Sequence, residues 1–224
     1  MIVLGLPGGS CIKRKINMIK AKHNLFYVWF FRFYSKFMLK RHFSNVKLKG
    51  SYTEKNLPVL LIGNHFSWWD GFIANYLNNL IFKRKFHVMM LEEQLKSRLF
   101  LNKAGAYSIK KDSRDIVKSL NYTKELLTST NNLVTIYPQG EIQSLYHYPL
   151  KFEKGISSVL KKLDNEVDIV FLVSLVDYFS NRKPNLTIGF QEYKNGKKGD
   201  TGDIEKHYNE FMKHLISEQK ENNI

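Results

Sequence analysis

From residue 45 onward, short apolar runs alternate with stretches of helical periodicity, and this alternation restricts the chain to few folds. Val59-Leu60-Leu61-Ile62, Phe86 to Leu91, Leu133 to Tyr137 and Val167 to Val176 read as strands. Turn-formers bound them, Pro58 and Gly63 around the first and Pro138 after the third. Between and beyond them lie apolar stripes at helical spacing: Ile73, Leu77 and Leu80; Ile116, Val117, Leu120 and Leu127; and the stretch Ile204 to Glu218. Strands that alternate with helices imply an α/β architecture, a mixed and mostly buried central sheet flanked by helices. Asn45 to Tyr52 reads as a further short strand, Ala106 to Ile109 as an extended segment, and Leu186 to Glu192 as a strand at an edge. Helices are predicted over Trp69 to Leu80, Glu92 to Leu101, from an Asp112 cap to about Thr130, and over Lys154 to Leu163.

The 224 residues, 43% of them hydrophobic, suffice for one domain with a real core. The charge is lopsided: 35 Lys+Arg against 20 Asp+Glu give +15. Such a surface favours an anionic partner, whether nucleic acid, lipid headgroups or a phosphorylated substrate. RNP-like, zinc and helix-turn-helix patterns are missing, so nucleic acid is not the expected partner. The one cysteine, Cys11, forms no internal disulfide, and no Cys/His spacing suits a metal. Gly5-Leu6-Pro7-Gly8-Gly9-Ser10 lacks the Gly-Lys-Ser/Thr ending of a phosphate loop. Nor does any stretch reach the roughly 18 to 20 apolar residues that span a bilayer.

Asn24 to Lys40 is of helix length and aromatic on nearly every side, with Arg32, Lys36, Lys40 and Arg41 toward its end. Aromatic rings beside basic residues suit the headgroup layer of a membrane. A helix packed on the domain reads the same way, and the two are compatible if one face docks and another meets lipid.

Chemistry concentrates in Gly63-Asn64-His65-Phe66-Ser67-Trp68-Trp69-Asp70. The first strand feeds a loop that delivers His65, and Asp70 sits in the first turn of the next helix, within reach of the imidazole. A carboxylate on one ring nitrogen fixes the tautomer and stabilises the cation formed when the other takes a proton. The pair is then a general base; the competing reading is that Asp70 only caps a helix. Two more strand-ending loops matter, Gly105 to Lys111 and Tyr137 to Ile142, because ligands of α/β sheets collect at strand ends.

Asn64-His65-x4-Asp70 resembles the first motif of the glycerolipid acyltransferases, the lysophosphatidate acyltransferase-like group. Gly105-Ala106-Tyr107-Ser108-Ile109-Lys110-Lys111 is similar to their second block, which usually ends in arginine. Tyr137-Pro138-Gln139-Gly140-Glu141 is similar to their third, usually Phe-Pro-Glu-Gly followed by Thr-Arg. All three occur in the family's order, across about Val59 to Val176. A fourth, Pro-containing block is not recognisable, and Phe171 stands where it is expected.

The resemblance implies that a fatty acyl group moves from a thioester, acyl-CoA or acyl-carrier protein, to a hydroxyl or amine of a lysolipid-type acceptor, with no other cofactor and no metal. His65 and Asp70 would be catalytic. Asn64, Ser67, Gly105, Lys111, Pro138, Gln139, Gly140, Glu141 and Lys154 would bind substrate. Ser67 lacks a Gly-x-Ser-x-Gly elbow and is the less favoured nucleophile. Backbone N–H groups near Gly140 are candidate oxyanion donors. Residues 1–45 would be an aromatic and basic membrane-associating segment with a membrane-docking helix, and 46–224 the acyltransferase domain. The location implied is peripheral or monotopic, on the cytoplasmic face of the cell membrane. Gln139 replaces the usual Glu, Glu141-Ile142 replace Thr-Arg, and Lys111 replaces Arg. The missing arginine opens the alternative of a non-phosphate acceptor: an aminoacyl lipid, a sugar or a pigment. Lys151 and Lys154, near the helix start at Gly155, either replace it as anion ligands or form a solvated basic face.

Overall fold

The computed structural model describes residues 18–110, 116–161, 166–194 and 200–221. Among them are strands β1 (Asn45–Lys49), β2 (Val59–Gly63), β3 (Lys85–Leu91), β4 (Ala106–Ile109), β5 (Asn132–Ile136), β6 (Asp168–Asp177) and β7 (Asn185–Glu192). The helices are α1 (Leu25–His42), α2 (Asp70–Leu77), α3 (Glu92–Ser97), α4 (Ile116–Leu126), α5 (Lys154–Leu160) and α6 (Thr201–Glu221). The strands form one sheet in the order β1-β7-β6-β2-β5-β3-β4. β4, β3, β5, β2 and β6 run parallel; β7 is antiparallel to β6, and β1 is parallel to β7.

The apolar runs are continuous because both faces of the sheet are covered. Along β2, Leu60 and Ile62 join the layer holding Leu120, Val159, Tyr208 and Met212 of α4, α5 and α6. Val59 and Leu61 join the opposite layer, with Leu39 of α1 and Ile73 and Leu77 of α2. Period-2 alternation thus feeds two cores from one strand.

Several boundaries differ from the expected ones. β7 is not an edge; it lies between β1 and β6, and β1 and β4 are the edges. β1 stops at Lys49, before Gly50 at φ 140°. The helix expected over Trp69 to Leu80 is α2 followed by a π-helical turn, Asn78–Phe82, which Lys83 ends in the left-handed region. The helix expected over Glu92 to Leu101 breaks at Arg98 (φ −137°, ψ 49°) and resumes as 3-10 turns over Leu99–Ala104. α4 ends at Leu126, short of Thr130; α5 begins at Lys154. The Asp112 cap and Lys111 lie outside the described residues.

α1 starts where the Asn24 side chain accepts hydrogen bonds from the Phe26 and Tyr27 N–H groups. Its buried residues, Phe31, Ser35 and Leu39, form a stripe one residue wide. Asn75 of α2 donates to the Phe31 carbonyl (3.3 Å) and to Ser35 Oγ (3.1 Å) beneath it. Leu25, Phe26, Trp29, Phe30, Phe33 and Phe37 are left exposed. The C-terminal end of α1 reaches the end of the sheet where β2 and β5 finish, and the His42 ring lies 4.9 Å from that of Trp69.

Candidate active site

The loop after β2 is shaped by Asp70. Its Oδ2 accepts from His65 Nδ1 (2.6 Å), the Phe66 N–H (2.9 Å) and the Ser67 N–H (3.0 Å). The carboxylate therefore fastens the turn and the imidazole together. Only 3% of its side chain is exposed, and Oδ1 has no hydrogen-bond partner among the described residues. Burial raises the Asp70 pKa above the usual carboxylate range; the bond from His65, that from the Ser67 N–H, the His65 charge and the Phe66 N–H bond oppose the rise. The His65 side chain is one-quarter exposed. With Nδ1 engaged, Nε2 is the nitrogen left to take a proton.

β5 supplies the other half of the site. The Tyr137 ring lies against the His65 imidazole, centroids 4.7 Å apart and planes 20° from parallel. Gly63 permits this: a Cβ there would stand 3.0 Å from Tyr137 Cε1 and 3.3 Å from Cδ1. Burial, and next the Asp70 charge, hold the Tyr137 hydroxyl well above its ordinary pKa, so it is neutral. Gly140, at φ 68°, turns the chain, and its N–H donates to the Tyr137 carbonyl (3.1 Å). That N–H is thus engaged in the turn.

Gln139 is buried, and its Oε1 accepts from the His65 N–H at 2.5 Å. Its Nε2 lies 3.4 Å from the His65 carbonyl and donates to Gln143 Oε1 at 3.0 Å. The Gln143 N–H donates to the same His65 carbonyl at 2.9 Å. The Glu141 carboxylate, on the exposed lip, accepts from Gln143 Nε2 at 3.2 Å.

The remaining expected residues fall into two groups. Asn64 is buried, and both ends of its amide are engaged with Ser174 of β6: Nδ2 donates to the carbonyl (2.9 Å) and Oδ1 accepts from the N–H (2.8 Å). It joins the end of β2 to β6. Ser67 Oγ accepts from the Trp69 N–H at 3.3 Å. The Pro138 carbonyl accepts from the Glu153 N–H (2.8 Å), tying the loop to the start of α5, where Lys154 stands exposed. Gly105 takes no part in these contacts; it immediately precedes β4, whose first residue, Ala106, is level through Val88 with Thr135 of β5. Its φ is +112°, and a Cβ would meet the Phe86 carbonyl oxygen at 2.0 Å, so glycine there is a requirement of the sheet. Gln143, Ser174 and the stacking role of Tyr137 were not expected. Tyr137 had a signal, an aromatic where the third block carries one; Gln143 and Ser174 had none.

The sheet, with an imidazole–carboxylate pair in the loop after one central strand and a Pro-Gln-Gly turn after its neighbour, makes this an α/β protein with the parts of a general base at its strand ends. The chain belongs to the acyltransferase family: the family model described as Acyltransferase matches residues 45–174. The fold is similar to the crystal structure of the 1-acyl-sn-glycerophosphate (LPA) acyltransferase PlsC from Thermotoga maritima. The TM-score is 0.58 at 16% identity, over 85% of this chain and 79% of that one. No curated protein sequence matches the chain.

Proposed function

We propose that this acyltransferase moves a fatty acyl group from a thioester, acyl-CoA or acyl-carrier protein, to a hydroxyl or amine of a lysolipid-type acceptor at a membrane surface. The observation that carries the reading is the 2.6 Å contact between His65 Nδ1 and Asp70 Oδ2. It leaves Nε2 of a part-exposed ring to take the acceptor's proton as the acceptor oxygen or nitrogen attacks the thioester carbonyl. The tetrahedral intermediate collapses by breaking the carbon–sulfur bond, and the imidazolium returns its proton to the leaving thiolate. Asp70 stabilises the imidazolium between these two transfers. No acyl-enzyme is needed.

Residues 1–45 serve in this reading as the membrane-associating segment and 46–224 as the acyltransferase domain. The aromatic face of α1 supports attachment, as does the +15 charge toward anionic headgroups. None of the described helices is long and apolar enough to cross a bilayer. The location that goes with this reading is peripheral or monotopic, on the cytoplasmic face of the cell membrane.

A second reading keeps the chemistry and changes the acceptor. Glu141 and Ile142 are both exposed at the lip where the family usually carries Thr-Arg. A carboxylate and an apolar side chain there disfavour a phosphomonoester and favour a neutral or cationic acceptor. The test is acyl transfer from acyl-CoA and acyl-carrier protein to a panel of lysophosphatidate, neutral and amine acceptors, with His65→Ala as control. The variant is expected to fold and to transfer nothing. Full activity in it would remove the base role, and a clear preference for lysophosphatidate would sink the second reading.

A further inference from the structure

Gln139 stands at a position that the family resemblance assigns to substrate binding, yet its amide is directed at the protein. We propose that Gln139 and Gln143 are positioning residues that hold His65 through its backbone, with Glu141 setting the polarity of the chain of hydrogen bonds. The proposal deepens the proposed acyl transfer and rests on His65 being its base.

The polarity follows from the two ends of the chain. At one end the His65 N–H can only donate, so Gln139 must present Oε1 to it. Nε2 then faces the His65 carbonyl and Gln143. Gln143 must present its oxygen in turn, which directs its Nε2 to Glu141. At the other end an ionised Glu141 can only accept. Donor and acceptor ends thus agree on one arrangement of two amides that are otherwise free to flip. The Gln143 main-chain N–H adds a second donor to the His65 carbonyl. Both backbone polar groups of His65 are therefore held by the loop after β5, while its ring is held by Asp70.

The amide matters because a carboxylate cannot complete this chain. Glu at 139 would still accept from the His65 N–H. Its second oxygen, however, would face the His65 carbonyl and Gln143 Oε1, two acceptors. Gln143 would have to turn its amide over, bringing its oxygen against Glu141. The sequence thus pairs Gln139 with Gln143 and Glu141 as one unit. It also keeps full negative charge off the buried position beside His65 and leaves it on the exposed lip.

The experiment compares Gln139→Leu, Gln139→Glu and Gln143→Leu with the wild-type full chain, using steady-state kinetics, pH profiles and NMR of ¹⁵N-histidine-labelled protein. The NMR signal is the His65 Nδ1 proton in its bond to Asp70, read without substrate. Gln139→Leu is expected to lower kcat by about ten- to a hundredfold, as small misplacements of reacting groups do, with acceptor KM nearly unchanged. It is also expected to shift or broaden the Nδ1 signal. Gln143→Leu, at a part-exposed position, is expected to do the same to a smaller degree. Gln139→Glu is expected to move the acid limb of the kcat profile up by about one pH unit, because a buried carboxylate favours the imidazolium. A rise in acceptor KM at unchanged kcat would make Gln139 a substrate contact and overturn the proposal. So would an Nδ1 signal that stays put in both Leu variants. A wild-type protein that transfers from no donor would sink the acyl-transfer reading alone, since the NMR comparison reports on His65 without turnover.

Discussion

Tyr137 lies almost flat beneath His65, and its hydroxyl is buried without a hydrogen-bond partner among the described residues. The ring and the hydroxyl therefore have separable effects. The ring face lies against the imidazole and stabilises its cation by about 1 kcal/mol, so Tyr137→Leu is expected to slow transfer roughly fivefold. The hydroxyl makes no bond that removal would break. Tyr137→Phe is expected to keep near wild-type rates and to gain on the order of 1 kcal/mol of stability. Initial rates and denaturant unfolding on the two variants check both. A large rate loss in Tyr137→Phe would show that the hydroxyl takes part in the chemistry.

Asp70 carries a trade between activity and stability. Its folded pKa is raised, chiefly by burial. In the acid range between the unfolded and folded values, the folded state therefore binds more protons than the unfolded one. Stability contributed by the protonated form is present below the unfolded pKa and is lost as pH rises through the folded pKa. Asp70→Asn keeps an oxygen for the Phe66 and Ser67 N–H groups and removes the buried charge. The variant is expected to melt at or above the wild-type temperature at pH 7, the difference shrinking as pH falls through the raised folded pKa and vanishing below the unfolded value. Transfer is expected to fall by about a thousandfold or more, because an amide does not stabilise the imidazolium. A variant that loses stability at pH 7 and keeps its rate would reverse both roles.

The layered sheet was legible in the sequence because buried parallel strands leave uninterrupted apolar runs, and Val59–Ile62 and Val167–Val176 are such runs. The His65–Asp70 pairing was legible as one of two readings, since Asp70 in the first turn of the helix is within reach of the imidazole but could also only cap that helix; the 2.6 Å contact decides between them. What the sequence concealed came from contacts distant along the chain. β7 is interior because β1, from the other end of the domain, pairs with its free side. The bond of Asn64 with Ser174, 110 positions away, could not be seen from the local motif. Gly105 showed its glycine but not the Phe86 carbonyl that requires it.

Gly105 gives a direct separation of scaffold from site. A Cβ at 2.0 Å from a backbone oxygen, on a residue at φ +112°, cannot be absorbed by side-chain movement. Gly105→Ala is expected to cost about 3 kcal/mol or more. The folded fraction is expected to keep the wild-type acceptor KM. Calorimetry with kinetics on the soluble fraction tests this; a stable variant with a raised KM would restore Gly105 to the substrate site.

Acid should unfold the protein partly through His87. Its side chain is buried, its Nδ1 has no partner among the described residues, and its ring lies 4.7 Å from that of His23. Burial, then the His23 and Lys85 charges, push its pKa down to about 3, against an opposing bond with Asn132. The unfolded chain protonates His87 near pH 6.5. Between those values the unfolded state binds more protons, so stability is full above 6.5 and is lost as pH falls toward 3. From pH 7 to pH 5 the loss from this residue is about 2 kcal/mol. His87→Gln, which keeps a polar group for Asn132, is expected to flatten the decline by that amount in denaturant titrations at the two pH values. An unchanged slope would assign the acid sensitivity elsewhere.

The exposed face of α1 tests membrane attachment without touching the fold. Trp29, Phe33 and Phe37 are 58%, 57% and 60% exposed, whereas Phe31 on the same helix is 6% exposed. Surface positions contribute within about 0.5 kcal/mol each to stability, so Trp29→Ser, Phe33→Ser and Phe37→Ser together are expected to leave the melting temperature nearly unchanged. Rings of this size entering the headgroup layer are worth about 1 kcal/mol or more each, so binding to vesicles with anionic lipid is expected to fall roughly a hundredfold. Phe31→Ser is the opposite control, losing stability through a buried stripe that packs against Phe72 and Phe100. Salt should lower the affinity of the wild type and of the triple variant by the same factor, because only the charge term, which the two share, is screened. Vesicle sedimentation across salt concentrations measures both effects. Undiminished binding of the triple variant would assign attachment to some surface other than α1.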